Sequence, residues 1–167
     1  MDSTALLAVL PALRRHARAL VGDPMAADDL VQDTLERAWR HAHRWDAERG
    51  LRPWLLTIMH HVRIDQWRRQ GLDLVNLDEA DAALPVMRAT QTDGLEMAAL
   101  EAALQQVPEP QRAVMLLVAI EGCSYAEVAE MLGVPTGTVM SRLARGRDRL
   151  RQLLAEQATP SRLRLMK

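Results

Sequence analysis

Phenylalanine is absent from this chain of 167 residues, tyrosine occurs once, and four tryptophans bring the aromatics to only 3%. A core must then be assembled from Leu, Ala, Val, Ile and Met, a composition that favours helices over sheets. Cys123 is the only cysteine, which excludes a disulfide within the chain and a cysteine-based zinc site. No apolar run approaches 18 residues, and the N-terminus has no basic start followed by a long apolar stretch. A soluble, cytoplasmic protein without membrane insertion is expected on those grounds. There is also no P-loop, no Ser or Cys nucleophile motif, and no paired carboxylates beyond ordinary helix faces. No enzyme is expected, and no cofactor, metal or small-molecule substrate.

What the chain does contain is concentrated in Ser124–Arg151, SYAEVAEMLGVPTGTVMSRLARGRDRLR. The stretch reads as a helix-turn-helix. Ala129 lets the helices approach, Gly133 opens the turn, and Val139 seats the second helix. Val128, Leu132, Val134 and Leu143 supply its apolar face, and Ser124 with Glu127 forms a capping box. Pro135 or Thr136 starts the second helix. Beyond it Arg142, Arg145, Arg147, Arg149 and Arg151 are expected to project outward, suited to guanine edges and phosphates in a major groove. A solvated basic helix on a small bundle would show the same charges without the turn pattern.

Charge distribution supports a polyanion partner where total charge hides it. The whole chain carries a net −1. Residues 96–135 set Arg112 against six glutamates, a balance of −5, whereas residues 136–167 reach +6. The acidic stretch would repel DNA and suits a protein partner.

Helical periodicity divides the chain into two blocks. Residues 4–21 place Leu6, Leu10, Leu13, Ala17 and Leu20 on one face, ended by Gly22. Asp23-Pro24 starts a second helix whose apolar face runs Ala27, Leu30, Val31, Thr34, Leu35, Ala38 and Trp39. Residues 43–52 read as a loop, and Pro53 begins a third helix through about Gln70. Residues 71–95 lose the pattern and hold five acids against Arg88, an acidic tether expected to be flexible. The second block reads as helices at about 95–106, 110–121, 124–132 and 135–157. The organisation is thus all-α: a first domain at 1–70, a linker at 71–95, a second domain at 96–157 and a basic tail at 158–167.

Three motifs in this order resemble the extracytoplasmic-function sigma factors of bacterial RNA polymerase, within the sigma-70 superfamily. ADDLVQDTLERAW (Ala27–Trp39) is similar to region 2.2, LRPWLLTIMHHVRIDQWRR (Leu51–Arg69) to regions 2.3 and 2.4, and Leu104–Arg151 to region 4. The resemblance implies a non-enzymatic initiation factor whose partners are core polymerase, promoter DNA and an anti-sigma factor. Asp28, Asp29, Gln32, Asp33 and Glu36 would meet the basic β′ coiled coil; as residues alone they read first as a solvated helix face, the commoner fate of such a strip. The −10 strand would meet Arg44, Trp45, Arg49, Arg52, His60, His61, Arg68 and Arg69, cations and planar groups of the kind that melting requires. Trp45 is the better stacking candidate and Trp54 the better core residue. His60 and His61 stand where relatives usually carry Arg-Asn, which leaves their part in DNA contact open and makes pH sensitivity of promoter binding conceivable. His61 with Asp65 would supply too few ligands for a metal.

The −35 duplex would meet Thr136, Thr138, Ser141, Arg142, Ala144, Arg145 and Arg147, with Arg142 and Arg145 at base edges. Met140 stands where many relatives have Arg. The acidic helices before the turn would face the polymerase β flap. Two other classes share parts of this pattern: a dimeric helix-turn-helix regulator that binds DNA alone, and a sigma mimic that sequesters an anti-sigma factor. The arginines after Thr136 speak against the mimic.

Overall fold

The first core begins with the stripe that the sequence spaces along α1 (Ser3–Val21), where Leu13, Ala17 and Leu20 are buried. The computed structural model describes residues 3–71 and 94–158. The linker expected at 71–95 and the tail at 158–167 fall almost wholly outside those residues.

Asp23 caps α2 (Pro24–Arg40) by accepting from the Ala26 N–H at 2.7 Å, with Pro24 in the first turn where its missing N–H costs nothing. Ala27, Leu30, Val31, Thr34 and Ala38 form its buried face. Trp39 does not join them and is 66% exposed. It follows Ala38 directly and is therefore turned about 100° away from that stripe.

The expected loop resolves into two short 3₁₀ turns, Ala42–Arg44 and Ala47–Arg49, the second capped by Asp46. The third helix, α3 (Leu51–Arg69), starts two residues earlier than Pro53 suggested. A proline is tolerated throughout a first turn because those N–H groups have no intrahelical acceptor. Gly50 enters the helix at φ 75°, a conformation that disfavours any side chain.

The second block comprises α4 (Gly94–Gln105), α5 (Glu109–Ala119), α6 (Tyr125–Leu132) and α7 (Thr136–Ala158). The capping box forms as its residues predict: Glu127 N–H donates to Ser124 Oγ and Ser124 N–H to the Glu127 carboxylate. Gly133 closes α6 at φ 65°. Val114, Leu117, Val128, Val139 and Leu143 make the core. Gly146 lets α7 cross α5 closely, since a Cβ there would lie 2.6 Å from Met115 Sδ and 3.2 Å from Gln111 Cβ.

Separate cores do not mean separate bodies. α1 packs on α4 and α5, and α3 packs on α6. Ala113 and Leu116 of α5 are buried within the first block's core. Arg112, 1% exposed, sits at the junction. Its Nη1 donates to the carbonyls of Leu104, Gln105 and Val107, at the end of α4 and in the turn after it, and its Nε donates to Leu20 O at the end of α1. Burial lowers its pKa to about 10, with Glu109 opposing and Arg63 reinforcing the shift, so the guanidinium stays charged at neutral pH.

Arg112→Met keeps most of the volume but removes the guanidinium donors to four carbonyls, of which the Leu20 and Val107 bonds are buried. Denaturant unfolding of this variant is expected to show a loss of roughly 3–5 kcal/mol, larger than for typical surface changes.

Candidate functional site

Three surfaces gather the polar residues singled out in the sequence. The first is the outer face of α2. Asp28, Asp29, Gln32, Asp33 and Glu36 are all exposed along it, because the buried stripe occupies the opposite side. Gln32 donates to Glu36 at 3.3 Å and Gln66 to Asp33 at 3.1 Å, which orders the strip without removing it from solvent. Charge of one sign on a rigid helix suits a basic protein partner.

The second surface combines the 3₁₀ turns with the exposed side of α3. Arg44, Arg49, Arg52, His61, Arg68 and Arg69 are exposed here. Asp46 stands 4.0 Å from Arg49, and Asp65 3.9 Å from Arg68. Asp65 is engaged chiefly by Arg37, at 2.6 Å. Trp45 and Trp54 differ less than the sequence suggested: both are half-buried and pack against the first core. The Trp45 indole nitrogen is buried without a partner among the described residues.

His60 departs from the expectation. It is 2% exposed, lying one helical turn beyond Leu56 on the inner side of α3, and is not available on this surface. Burial holds its pKa well below the usual histidine range, reinforced by His16 and His61.

The third surface is the start of α7. Thr136, Ser141, Ala144, Arg145 and Arg147 are exposed and Thr138 is half-buried. Ser141 Oγ donates to Thr138 O at 3.1 Å. Arg142 does not project outward as the sequence suggested; it is 7% exposed. Three residues after Val139, it shares that residue's inward face. There it lines a small cavity with His60, Arg63, Ile64 and Trp67 of α3 and with Leu132 and Val134 of the turn.

The acidic balance of residues 96–135 also proves to be spent differently. Glu109 receives both Nε and Nη2 of Arg63, at 2.6 and 2.9 Å. Glu121 accepts from His16 at 3.0 Å and Arg52 at 2.6 Å, its side chain only 3% exposed. Two of the six glutamates therefore face the first block rather than a flap. Burial would push the Glu121 pKa up, but the bonds and charges of His16 and Arg52 prevail and bring it below the usual carboxylate range.

His16, Arg63 and Glu121 were not singled out from the sequence. The available signals were small: a histidine within the Leu13-Ala17-Leu20 stripe, and an arginine four residues before Trp67, over whose ring the structure places it at 5.2 Å.

Comparison with known proteins fits this geometry. Residues 6–72 match the model of sigma-70 region 2, and residues 97–150 that of sigma-70 region 4. The ECF RNA polymerase sigma factor EcfG of Rhodopseudomonas palustris is 35% identical over 149 residues, 89% of this chain and 82% of that one. SigM of Mycobacterium tuberculosis is 37% identical over 144 residues, covering 85% and 71% of the two chains. Among solved structures, that of the sigma factor RpoE in complex with the anti-sigma factor NepR from Bartonella quintana superposes with a TM-score of 0.71 and 34% identity, over 90% of this chain and 94% of that one. A chain of the complex of the anti-anti-sigma factor PhyR with NepR shares the fold at 20% identity and a TM-score of 0.56, over 90% of this chain and 49% of that one. With both region models matched in order and relatives of this identity along most of their length, the chain belongs to the extracytoplasmic-function sigma factors of the sigma-70 family.

Proposed function

We infer that the chain is an alternative sigma factor. It binds core RNA polymerase, directs it to promoters with −35 and −10 elements, opens the −10 region and initiates transcription. An anti-sigma factor restrains it, as NepR accompanies the Bartonella sigma factor. The observation that carries this reading is the succession of a region 2 module and a region 4 module on one chain, each presenting an exposed charged helix face. Bond-making chemistry belongs to the polymerase; this chain supplies binding and strand opening in the cytoplasm, where polymerase and promoter meet. None of the described helices is long and apolar enough to cross a membrane.

The residues take their parts by exposure and charge. Asp28, Asp29, Gln32, Asp33 and Glu36 engage the β′ coiled coil. Arg44, Arg49, Arg52, Arg68 and Arg69 hold the backbone of the −10 strand, and a base stacks on the open face of Trp45, which also serves the core. Thr136, Thr138 and Ser141 place the start of α7 on −35 phosphates, where helix N-terminal N–H groups add to the attraction. Arg145 reaches a base edge, and Arg147 lies further along the groove. Reconstitution with core polymerase on genomic DNA, followed by mapping of transcript starts, tests the whole reading. A dimeric regulator would instead bind paired half-sites without polymerase and create no new starts.

Reversing two charges of the α2 strip, Asp29→Arg with Asp33→Arg, is expected to abolish co-purification with core polymerase while circular dichroism stays unchanged. Both residues are exposed, and the Gln66 bond to Asp33 is a surface contact of small worth.

Arg145→Ala should cost about 1–3 kcal/mol on a −35 duplex and relax preference at individual bases. Arg151→Ala, whose side chain is exposed beside Asp148, should weaken all duplexes evenly and lower the salt slope by about one. Competition binding across a panel of single-base −35 variants separates the two patterns.

A further inference from the structure

Beside Arg112, which bonds Leu20 O across the junction, His16, Arg52 and Arg63 of the first block pair with Glu109 and Glu121 of the second, and His60 backs His16, where promoter binding requires the blocks apart. His16 of α1 bonds Glu121 through Nδ1 at 3.0 Å and meets His60 of α3 through Nε2 at 3.1 Å. Arg52 closes on the same Glu121. A few turns along α3, Arg63 clasps Glu109 with two hydrogen bonds. The cavity beside them is lined by α3 on one side and by α5, the helix-turn-helix and Arg142 on the other.

This arrangement cannot read a promoter. The −35 and −10 elements are separated by roughly 25 base pairs, about 85 Å of B-form duplex at 3.4 Å per pair. A block of some 60 residues is only about 25–30 Å across, from a radius of gyration near 10 Å. Two blocks in contact therefore fall well short. The 22 residues between Gly71 and Gly94 could span at most about 70–80 Å, enough to cover the difference once the blocks part.

We propose that the seam formed by His16, His60, Glu121 and Arg52, with the Arg63–Glu109 pair, is an intramolecular latch that holds the chain in a promoter-incompetent form and is released by proton uptake. The proposal rests on the sigma-factor reading above for the meaning of the open form.

The sense of the proton dependence follows from the bonds. A carboxylate only accepts, so His16 Nδ1 carries a proton toward Glu121. The facing Nε2 atoms of His16 and His60 can then share one proton but not two. The groups around His60 are His16 from α1, His61, Arg52 and Arg63 from α3, Glu109 and Arg112 from α5, Glu121 after it, and Arg142 from α7. Cations predominate there, and the ring is buried.

In the closed form His60 therefore stays neutral well below the ordinary histidine value of about 6.5, which an exposed ring regains in the open form. The open form binds the additional proton, so closure is fully favoured above about pH 6.5 and weakens as pH falls below it. Glu121, held below its ordinary value, acts in the same sense at lower pH.

Small-angle scattering of the full chain, without polymerase or DNA, tests the latch independently of sigma activity, and transcription from a mapped promoter reports that activity separately. A compact chain of 167 residues has a radius of gyration of about 15 Å. At pH 7.5 the wild type should be close to this value, and at pH 5.5 the radius should rise by at least a half with helical content retained. Arg63→Glu and Glu109→Arg should each open the chain at pH 7.5, and the double exchange should close it again, which a folding defect would not do. His60→Gln should remain closed at pH 5.5. A wild type that stays compact at pH 5.5, a His60→Gln that opens there like the wild type, or charge reversals that leave the radius unchanged would each overturn the latch.

Discussion

A single buried guanidinium determines how the two halves of this protein meet. Arg112 places its donors between the last carbonyl of α1's buried stripe and three carbonyls at the end of α4. Most of those carbonyls have no other donor among the described residues, since of the three at the end of α4 only Leu104 O also accepts from a backbone N–H, that of Val107, and a buried charge would otherwise lack compensation. Each meets much of the other's need, although Arg112 Nη2 stays buried without a hydrogen-bond partner among the described residues. Once Arg112 is fixed, α5 must lie across α1, and Ala113 and Leu116 enter the first core as its neighbours. The ion pairs of Arg63 and Arg52 then close the remainder of the seam from the α3 side.

Within each block the fold follows from short-range rules that the residues state openly. Asp23-Pro24, the Ser124/Glu127 box and Gly133 mark helix ends, and the leucine and valine spacings mark buried faces. Those elements were legible, as were the acidic face of α2 and the arginines of α7, two separate charged surfaces. What stayed hidden is long-range. His16 and His60 are 44 positions apart and His16 and Glu121 are 105 apart, and no periodicity relates them. The charge count over residues 96–135 was correct in sum, but it could not tell that Glu109 and Glu121 turn inward while Glu101 and Glu130 stay outside.

The arginines of α7 show the same limit more finely. All five look alike in sequence, yet the 3.6-residue repeat places Arg142 with Val139, Leu143 and Gly146 on the side that α5 and α3 cover. Arg145 and Arg147 escape that side by a fraction of a turn. Trp39 illustrates the converse, an apolar residue carried into solvent because its neighbour Ala38 takes the buried position. Counting residue types along a helix finds its character, but only the phase of the buried stripe assigns each member its surroundings.

The seam between the blocks has a further physical consequence that concerns concentration. It joins arginines on one block to glutamates on the other, so each separated block carries a face complementary to its counterpart in any other copy of the chain. Nothing in the contacts themselves distinguishes a partner on the same chain from one on a neighbour. The covalent connection makes the distinction, since tethering gives one block a local concentration around the other on the order of millimolar. At the far lower concentrations of a regulatory protein each chain closes on itself. Crowded to comparable levels, the same faces would exchange partners and yield reciprocally swapped dimers with an identical seam.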